Sequence, residues 1–188
     1  MSRSLPSRAG VRGAAQNHPQ NTMIVLGIDP GLAATGYGVV ERRGSRLIAL
    51  DGGVVQTAAG TRAEERLGQL HDALTALLRD HEPAAMALES LYFGANARSA
   101  FAVGQARGVA MLCAGQRGVT CFSYTPQQVK GAVCGSGSAP KDQVARMVTA
   151  LLGLTSAPSS DHASDALAVA ICHANRAPLA HAIEALAG

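Results

Sequence analysis

Short apolar runs, each stopped abruptly by an acid or a turn signal, set the rhythm of this chain. Residues 23–28 are apolar apart from one glycine, and Asp29 with Pro30-Gly31 ends them at once. A short apolar run bounded by a turn signal predicts a buried strand. Residues 35–41 and 46–57 predict two further strands around an Arg42-Arg43-Gly44-Ser45 turn, so the first three strands form an antiparallel meander. Across residues 62–81, Leu67, Leu74, Leu77 and Leu78 recur at helical spacing, and Pro83 ends that amphipathic helix. Residues 84–89 repeat the first device, an apolar run closed by one acid, Glu89.

Residues 97–116 have helical composition, with Phe101, Val103, Val109, Met111 and Leu112 as apolar positions. Gly104 and Gly108 predict close helix packing there. Residues 119–124 predict a strand. Thr125-Pro126 opens a short helix through Lys130, with proline at an allowed first-turn position. Residues 139–152 predict another helix. After a polar linker at 155–160, the stretch 161–171 starts polar and becomes almost wholly apolar, which predicts a helix packed in the core.

Glycine-containing strands that alternate with Ala/Leu-rich helices point to an α/β fold. A length of 188 residues suits one domain with a real core, and no apolar run approaches membrane-spanning length. Residues 1–22 lack periodicity and read as a disordered basic tail without the apolar stretch of a secretory signal. Residues 23–176 then form the domain and 177–188 a C-terminal extension. The four cysteines show no CxxC pair or metal-ligand spacing, as expected of reduced thiols in a cytoplasmic protein.

The net charge of +3 is a weak guide, because Arg3, Arg8 and Arg12 in the tail account for it. Local distribution is more informative. From Ser90 to Arg146 the chain carries Arg98, Arg107, Arg117, Lys130, Lys141 and Arg146 against Asp142 alone. Such a segment suits a phosphate backbone.

Three acids stand at the ends of core elements: Asp29, Glu89 and Asp165. A carboxylate at the end of a buried strand is costly to desolvate unless a cation faces it, and a divalent metal is the strongest candidate. Strand-end carboxylates with a helix-start carboxylate suit Mg²⁺ in phosphodiester chemistry. Plainer readings exist too: Asp29 suits an Asx-turn before Pro-Gly, Glu89 a helix-proximal or turn acid, and the neighbouring Asp161 the N-cap of the last helix. His162 and Asp165, three apart, share a helix face. Residues 90–96 form a loop directly after Glu89, and its Tyr92 and Phe93 either stack on bases or cap the core. The Gly/Ser-rich loop 134–141 either approaches phosphates or simply connects two helices.

Four blocks, GIDPGLAATGYGVV, ESLYFGANARSAFAVGQARG, QQVKGAVCGSGSAPKDQV and DALAVAICHA, occur in order across residues 23–175. Together they resemble the characteristic blocks of the RuvC family, the bacterial Holliday junction resolvases. The resemblance implies a ribonuclease-H-like fold, a five-stranded mixed sheet flanked by helices. It implies paired symmetric nicks in four-way junction DNA, in recombination and repair, leaving 5′-phosphate and 3′-hydroxyl ends. The family's metal-binding acids correspond to Asp29, Glu89 and Asp165. Its fourth ligand position falls on His162, where the commoner pattern is Asp-x-x-Asp, and the adjacent Asp161 remains an alternative. Two Mg²⁺ ions per site are implied, with the imidazole tilting preference toward Mn²⁺.

Tyr92 falls where family members set an aromatic residue against junction bases, and Lys130 and Lys141 match basic residues of the family's site. With Phe93, Arg98 and Arg107 they form the candidate DNA-binding set. Two symmetric nicks imply a homodimer, and the family implies the RuvA–RuvB branch-migration machinery as partner. Other readings are a different nuclease of the same fold, a non-catalytic junction-binding module, or an ATPase related to sugar and acetate kinases. Against the last, the chain holds no duplicated half with a second phosphate-binding hairpin.

Overall fold

The computed structural model describes residues 22–90 and 97–187, with the side chains at 97–99 and 178–187 excepted. Its elements follow in the order β1 (Thr22–Asp29), β2 (Ala34–Arg43), β3 (Arg46–Gln56), α1 (Ala63–His81), β4 (Ala85–Glu89), α2 (Ala97–Gln116), β5 (Thr120–Tyr124), α3 (Pro126–Cys134), α4 (Lys141–Leu151) and α5 (Asp161–Ala187). The strands form one sheet in the order β3-β2-β1-β4-β5. The β1–β2 and β2–β3 pairs are antiparallel, as the meander predicts, whereas β4 runs parallel to both β1 and β5. The parallel strands are joined through helical crossovers, because a hairpin cannot return the chain in the same direction.

Helices cover both faces of this sheet, which explains why its central strands read as unbroken apolar runs. Successive side chains on a strand point to opposite faces. Leu26, Ile28, Val39, Met86 and Leu88 pack with Leu70, Leu74 and Leu78 of α1 and Ala106 and Ala110 of α2. Val25, Val40 and Ala87 pack on the other face with residues of α3, α4 and α5. Asp29 and Glu89 share the parity of Val25 and Ala87, so both acids emerge on the α5 face. In the β1–β4 register Ile28 stands beside Leu88, which puts the two acids level at neighbouring strand ends.

Glycines determine how closely α5 approaches. A Cβ at Gly27 would lie 2.1 Å from the Ala166 carbonyl oxygen, and one at Gly36 would lie 2.0 Å from that of His162. At Gly38 it would lie 2.7 Å from the Leu167 side chain. Gly27 pairs with Gly38 and Asp29 with Gly36. At Gly27 and Gly36 the helix backbone thus rests directly on strand backbone, while at Gly38 the Leu167 side chain fills the contact.

Helix ends follow the local chemistry. Thr125 accepts from the Gln128 N–H, and the Gln128 side chain accepts in return from the Thr125 N–H, a capping box. At α5 the cap is Ser160, whose Oγ accepts from the Ala163 N–H at 3.1 Å. The N-cap reading of Asp161 is therefore corrected: Asp161 is the first helical residue. Gly104 and Gly108 are also corrected, since a Cβ at either would meet nothing within 4 Å. Around them Phe101, Met111 and Leu112 are 68%, 47% and 54% exposed, so this face of α2 is not packed among the described residues. Helix α3 extends four residues past Lys130, to Cys134, and α5 continues unbroken past position 177. All four cysteines are free thiols, with Cys113 and Cys172 buried.

Candidate active site

The seat of α5 on the glycines of β1 and β2 carries its first turns over the end of β1. His162 Nδ1 lies 2.7 Å from Asp29 Oδ2. Three residues further along the helix, Asp165 enters a pocket that Glu89 also lines. Lys130 of α3 and Lys141 of α4 line the same pocket, above an apolar floor that includes Val129 and Val169. Lys141 Nζ stands 3.1 Å from Asp161 and 3.3 Å from Asp165, so one ammonium bridges two acids one helical turn apart.

The electrostatics show that the acids share a site. Burial, reinforced by the negative charges of Asp29 and Asp165, pushes the Glu89 carboxyl up to about 7, against the smaller opposing effects of Lys141 and Lys130. Burial also raises Asp165, with Lys141 pulling the other way and Asp29 adding to the rise. Burial alone disfavours the Lys141 ammonium, but its bonds to Asp161 and Asp165 outweigh that and raise its pKa. Burial, with the neighbouring acids adding to it, disfavours the ionised carboxylates of Glu89 and Asp165 at this pocket.

A divalent cation beside these acids would offset that cost. Among the described residues, no three His, Cys, Asp or Glu side chains stand grouped as a ready metal cage. Asp29 is engaged with His162, and Asp165 with Lys141. Mg²⁺ does not require such a cage, since it takes one or two carboxylates and fills its remaining positions with waters and phosphate oxygens. The residues that would hold it are oxygen donors, with one imidazole.

The described basic residues of the segment have different partners within the chain. Lys130 and Lys141 face the acids. Arg107 instead donates through Nη1 to the main-chain carbonyl of Glu89 at 2.8 Å and through Nη2 to the Ser123 hydroxyl. Arg146 pairs with Asp142 on α4. Arg117 follows α2 and contributes its charge near Asp80 of α1. Tyr92, Phe93 and the side chain of Arg98 lie outside the described residues.

Sequence reasoning missed three contributions: the glycine seat of α5, the clamp of Arg107 on Glu89, and Asp161 as a partner of Lys141. Glycines on facing strands, beside an Ala-rich helix, are the signal for the first. The other two depend on contacts across 18 and 20 positions, which no local pattern reports.

Residues 25–173 match the family described as crossover junction endodeoxyribonuclease RuvC. The crossover junction endodeoxyribonuclease RuvC of Rubrobacter xylanophilus is 50% identical over 155 residues, 82% of this chain and 87% of that protein. The structure of Thermus thermophilus RuvC is similar with a TM-score of 0.78 and 40% identity, over 84% of this chain and 97% of the other. The same protein in complex with Holliday junction substrate is similar with a TM-score of 0.78 and 38% identity, over 84% and 96% of the two chains.

Proposed function

This chain belongs to the RuvC family of crossover junction endodeoxyribonucleases, and from that premise we propose that Asp29, Glu89, His162 and Asp165 form its catalytic centre. The enzyme cleaves four-way (Holliday) junctions in recombination and repair. The observation that carries the site assignment is the elevation of Glu89 to about 7 by burial together with Asp29 and Asp165. Residues from three separate elements share one electrostatic pocket, and such perturbed groups concentrate at functional sites.

The four side chains would hold two Mg²⁺ or Mn²⁺ ions, Mn²⁺ being the better match to the imidazole. A bound divalent ion supplies Lewis-acid polarisation of the phosphodiester and a water of lowered pKa. The protein's own part is to orient and to balance charge. Asp29 holds the His162 ring through Nδ1, which leaves Nε2 directed to a further ligand. Lys141 and Lys130 offset charge that develops on the phosphate, a stabilisation that is strong in a partly dry pocket. When the phosphate arrives, the Lys141 ammonium passes from Asp165 to the substrate and frees the carboxylate.

Tyr92, Phe93 and Arg98 complete the DNA contacts from the segment after Glu89. Residues 23–176 are the nuclease domain. Two symmetric nicks require two such centres, which a homodimer provides. The RuvA–RuvB complex is the proposed partner and the cytoplasm the proposed location; among the described residues no helix is long and apolar enough to cross a membrane.

Strand-by-strand cleavage of synthetic four-way junctions and matched duplex, with Mg²⁺ or Mn²⁺, tests this reading. Asp29→Asn, Glu89→Gln and Asp165→Asn are each expected to abolish cleavage and retain junction binding. Near-native cleavage by any one of them removes that residue from the centre.

A further inference from the structure

Arg107 is one of six basic residues in a segment that otherwise invites a phosphate-binding reading. Its surroundings point elsewhere. Both arms of the guanidinium are committed to protein acceptors: Nη1 to the Glu89 carbonyl at 2.8 Å and Nη2 to Ser123 Oγ. The acceptors belong to the ends of β4 and β5. The β1–β4 register ends at Ile28–Leu88, one residue short of Glu89, whereas the β4–β5 register reaches Glu89–Tyr124. The next residue closes the corner, with the Ser90 N–H donating to the Tyr124 carbonyl at 2.7 Å. Glu89 is thus the last residue of its strand, and its main chain is secured from the α2 side by a side chain.

Arg107 is well mounted for that task. Ala106 and Ala110 beside it on α2 are 1% and 0% exposed, packed against Leu26, Met86 and Leu88. A forked, planar guanidinium reaches two acceptors at once in a fixed relation; an ammonium on the same helix has a single point of attachment.

We propose that Arg107 is a positioning residue for cleavage, which ties the Glu89 carbonyl to the Ser123 hydroxyl and so sets where the Glu89 carboxylate projects into the pocket. The proposal rests on the reading of Glu89 as part of the catalytic centre. Its consequence is a separation of rate from binding. Misplacement of a reacting group by about 1 Å costs on the order of a hundredfold in rate, while the charge that the DNA meets is unchanged.

The test uses the full chain on synthetic four-way junctions. Single-turnover cleavage at saturating enzyme, junction affinity against salt, and thermal unfolding are measured for Arg107→Lys and Ser123→Ala, and the salt slope also for Arg107→Gln. For Arg107→Lys the saturated rate is expected to fall roughly tenfold or more, with affinity and its salt slope unchanged. Ser123→Ala leaves the Glu89 contact in place and is expected to show a smaller loss of the same kind. A salt slope reduced by about one phosphate contact in the charge-removing Arg107→Gln, with the saturated rate of Arg107→Lys unchanged, makes Arg107 a DNA ligand and overturns the proposal. An unchanged saturated rate in both variants overturns it as well. Should Arg107→Lys fail to fold, Ser123→Ala decides alone by the same criterion. Failure of the parent reading is distinguishable, since it requires Glu89→Gln to cleave normally, whereas failure here pairs an inactive Glu89→Gln with normal Arg107→Lys.

Discussion

His162 Nδ1 meets Asp29 Oδ2 at 2.7 Å across 133 positions of sequence. The contact joins the first turn of α5 to the last residue of β1. It also orients the imidazole, because a ring nitrogen held by a carboxylate determines which nitrogen is left for another ligand.

The pairing predicts unequal roles for adjacent residues. His162→Ala is expected to lose most cleavage. His162→Asp is expected to retain activity and to shift preference from Mn²⁺ toward Mg²⁺, which favours oxygen ligands. Asp161→Ala removes a partner of Lys141 and is expected to cost less than His162→Ala. Cleavage rates at saturating metal decide the order. A fully active His162→Ala beside an inactive Asp161→Ala reverses the assignment.

The glycine seat predicts a severe effect from a single methyl group. Gly36→Ala sets a Cβ against the His162 carbonyl, a backbone atom that cannot rotate away. Loss of stability by several kcal/mol, in the range of about 1–3 for overpacking or above it, and loss of cleavage are expected together. Gly68→Ala is the control. That exposed position in α1 has open space around it, and the change is expected to stabilise by at most about 1 kcal/mol. Urea denaturation of both variants measures the contrast.

The raised carboxyl of Glu89 predicts how stability follows pH. A group whose pKa is higher in the folded than in the unfolded protein stabilises the fold below the unfolded value. It loses that contribution as pH rises through the folded value. For Glu89 the window runs from the ordinary carboxylate value of 4.5 up to about 7, and Asp165 shifts in the same direction. Metal-free protein is therefore expected to weaken across this window, with Glu89 contributing at most about 3 kcal/mol. Glu89→Gln is expected to flatten the curve and to be more stable than the parent above pH 7. Urea melts in chelator from pH 5 to 8 provide the measurement.

Lys141 predicts a shift in the pH–rate profile. Its charge lowers the proton affinity of Glu89 and Asp165. Lys141→Ala is expected to reduce cleavage and to move the acidic limb of the remaining activity to higher pH. A lower rate with an unmoved limb restricts Lys141 to holding phosphate.

The strand-end acids were legible because Asp29-Pro30-Gly31 and the abrupt close of 84–89 are local signals, each an apolar run cut by one polar residue. The meander and the Thr125-Pro126 helix start were legible for the same reason. The cap of α5 was misread, since Ser160 and Asp161 are both good capping residues and only the Ser160–Ala163 bond distinguishes them. Gly104 and Gly108 were misread because glycine in a helix signals close approach only when something approaches, and among the described residues nothing does. The glycines that do accept a helix, Gly27, Gly36 and Gly38, stand on strands and looked like ordinary features of a hairpin. Arg107 was placed among phosphate ligands by its charge, while its acceptors, one main-chain carbonyl and one hydroxyl, carry no charge for a sequence pattern to reveal.

The bare contact between α5 and the first two strands has a bearing on how such a protein tolerates drift. Where elements meet through side chains, exchanging one aliphatic residue for another changes their separation, and any chemistry mounted on them moves as well. Here main chain meets main chain at closest approach, so the spacing between Asp29 and the residues of the first α5 turns is a constant of backbone geometry. Both apolar cores are left open to change in composition with temperature or lineage, while the spacing between Asp29 and the first α5 turns needs no retuning.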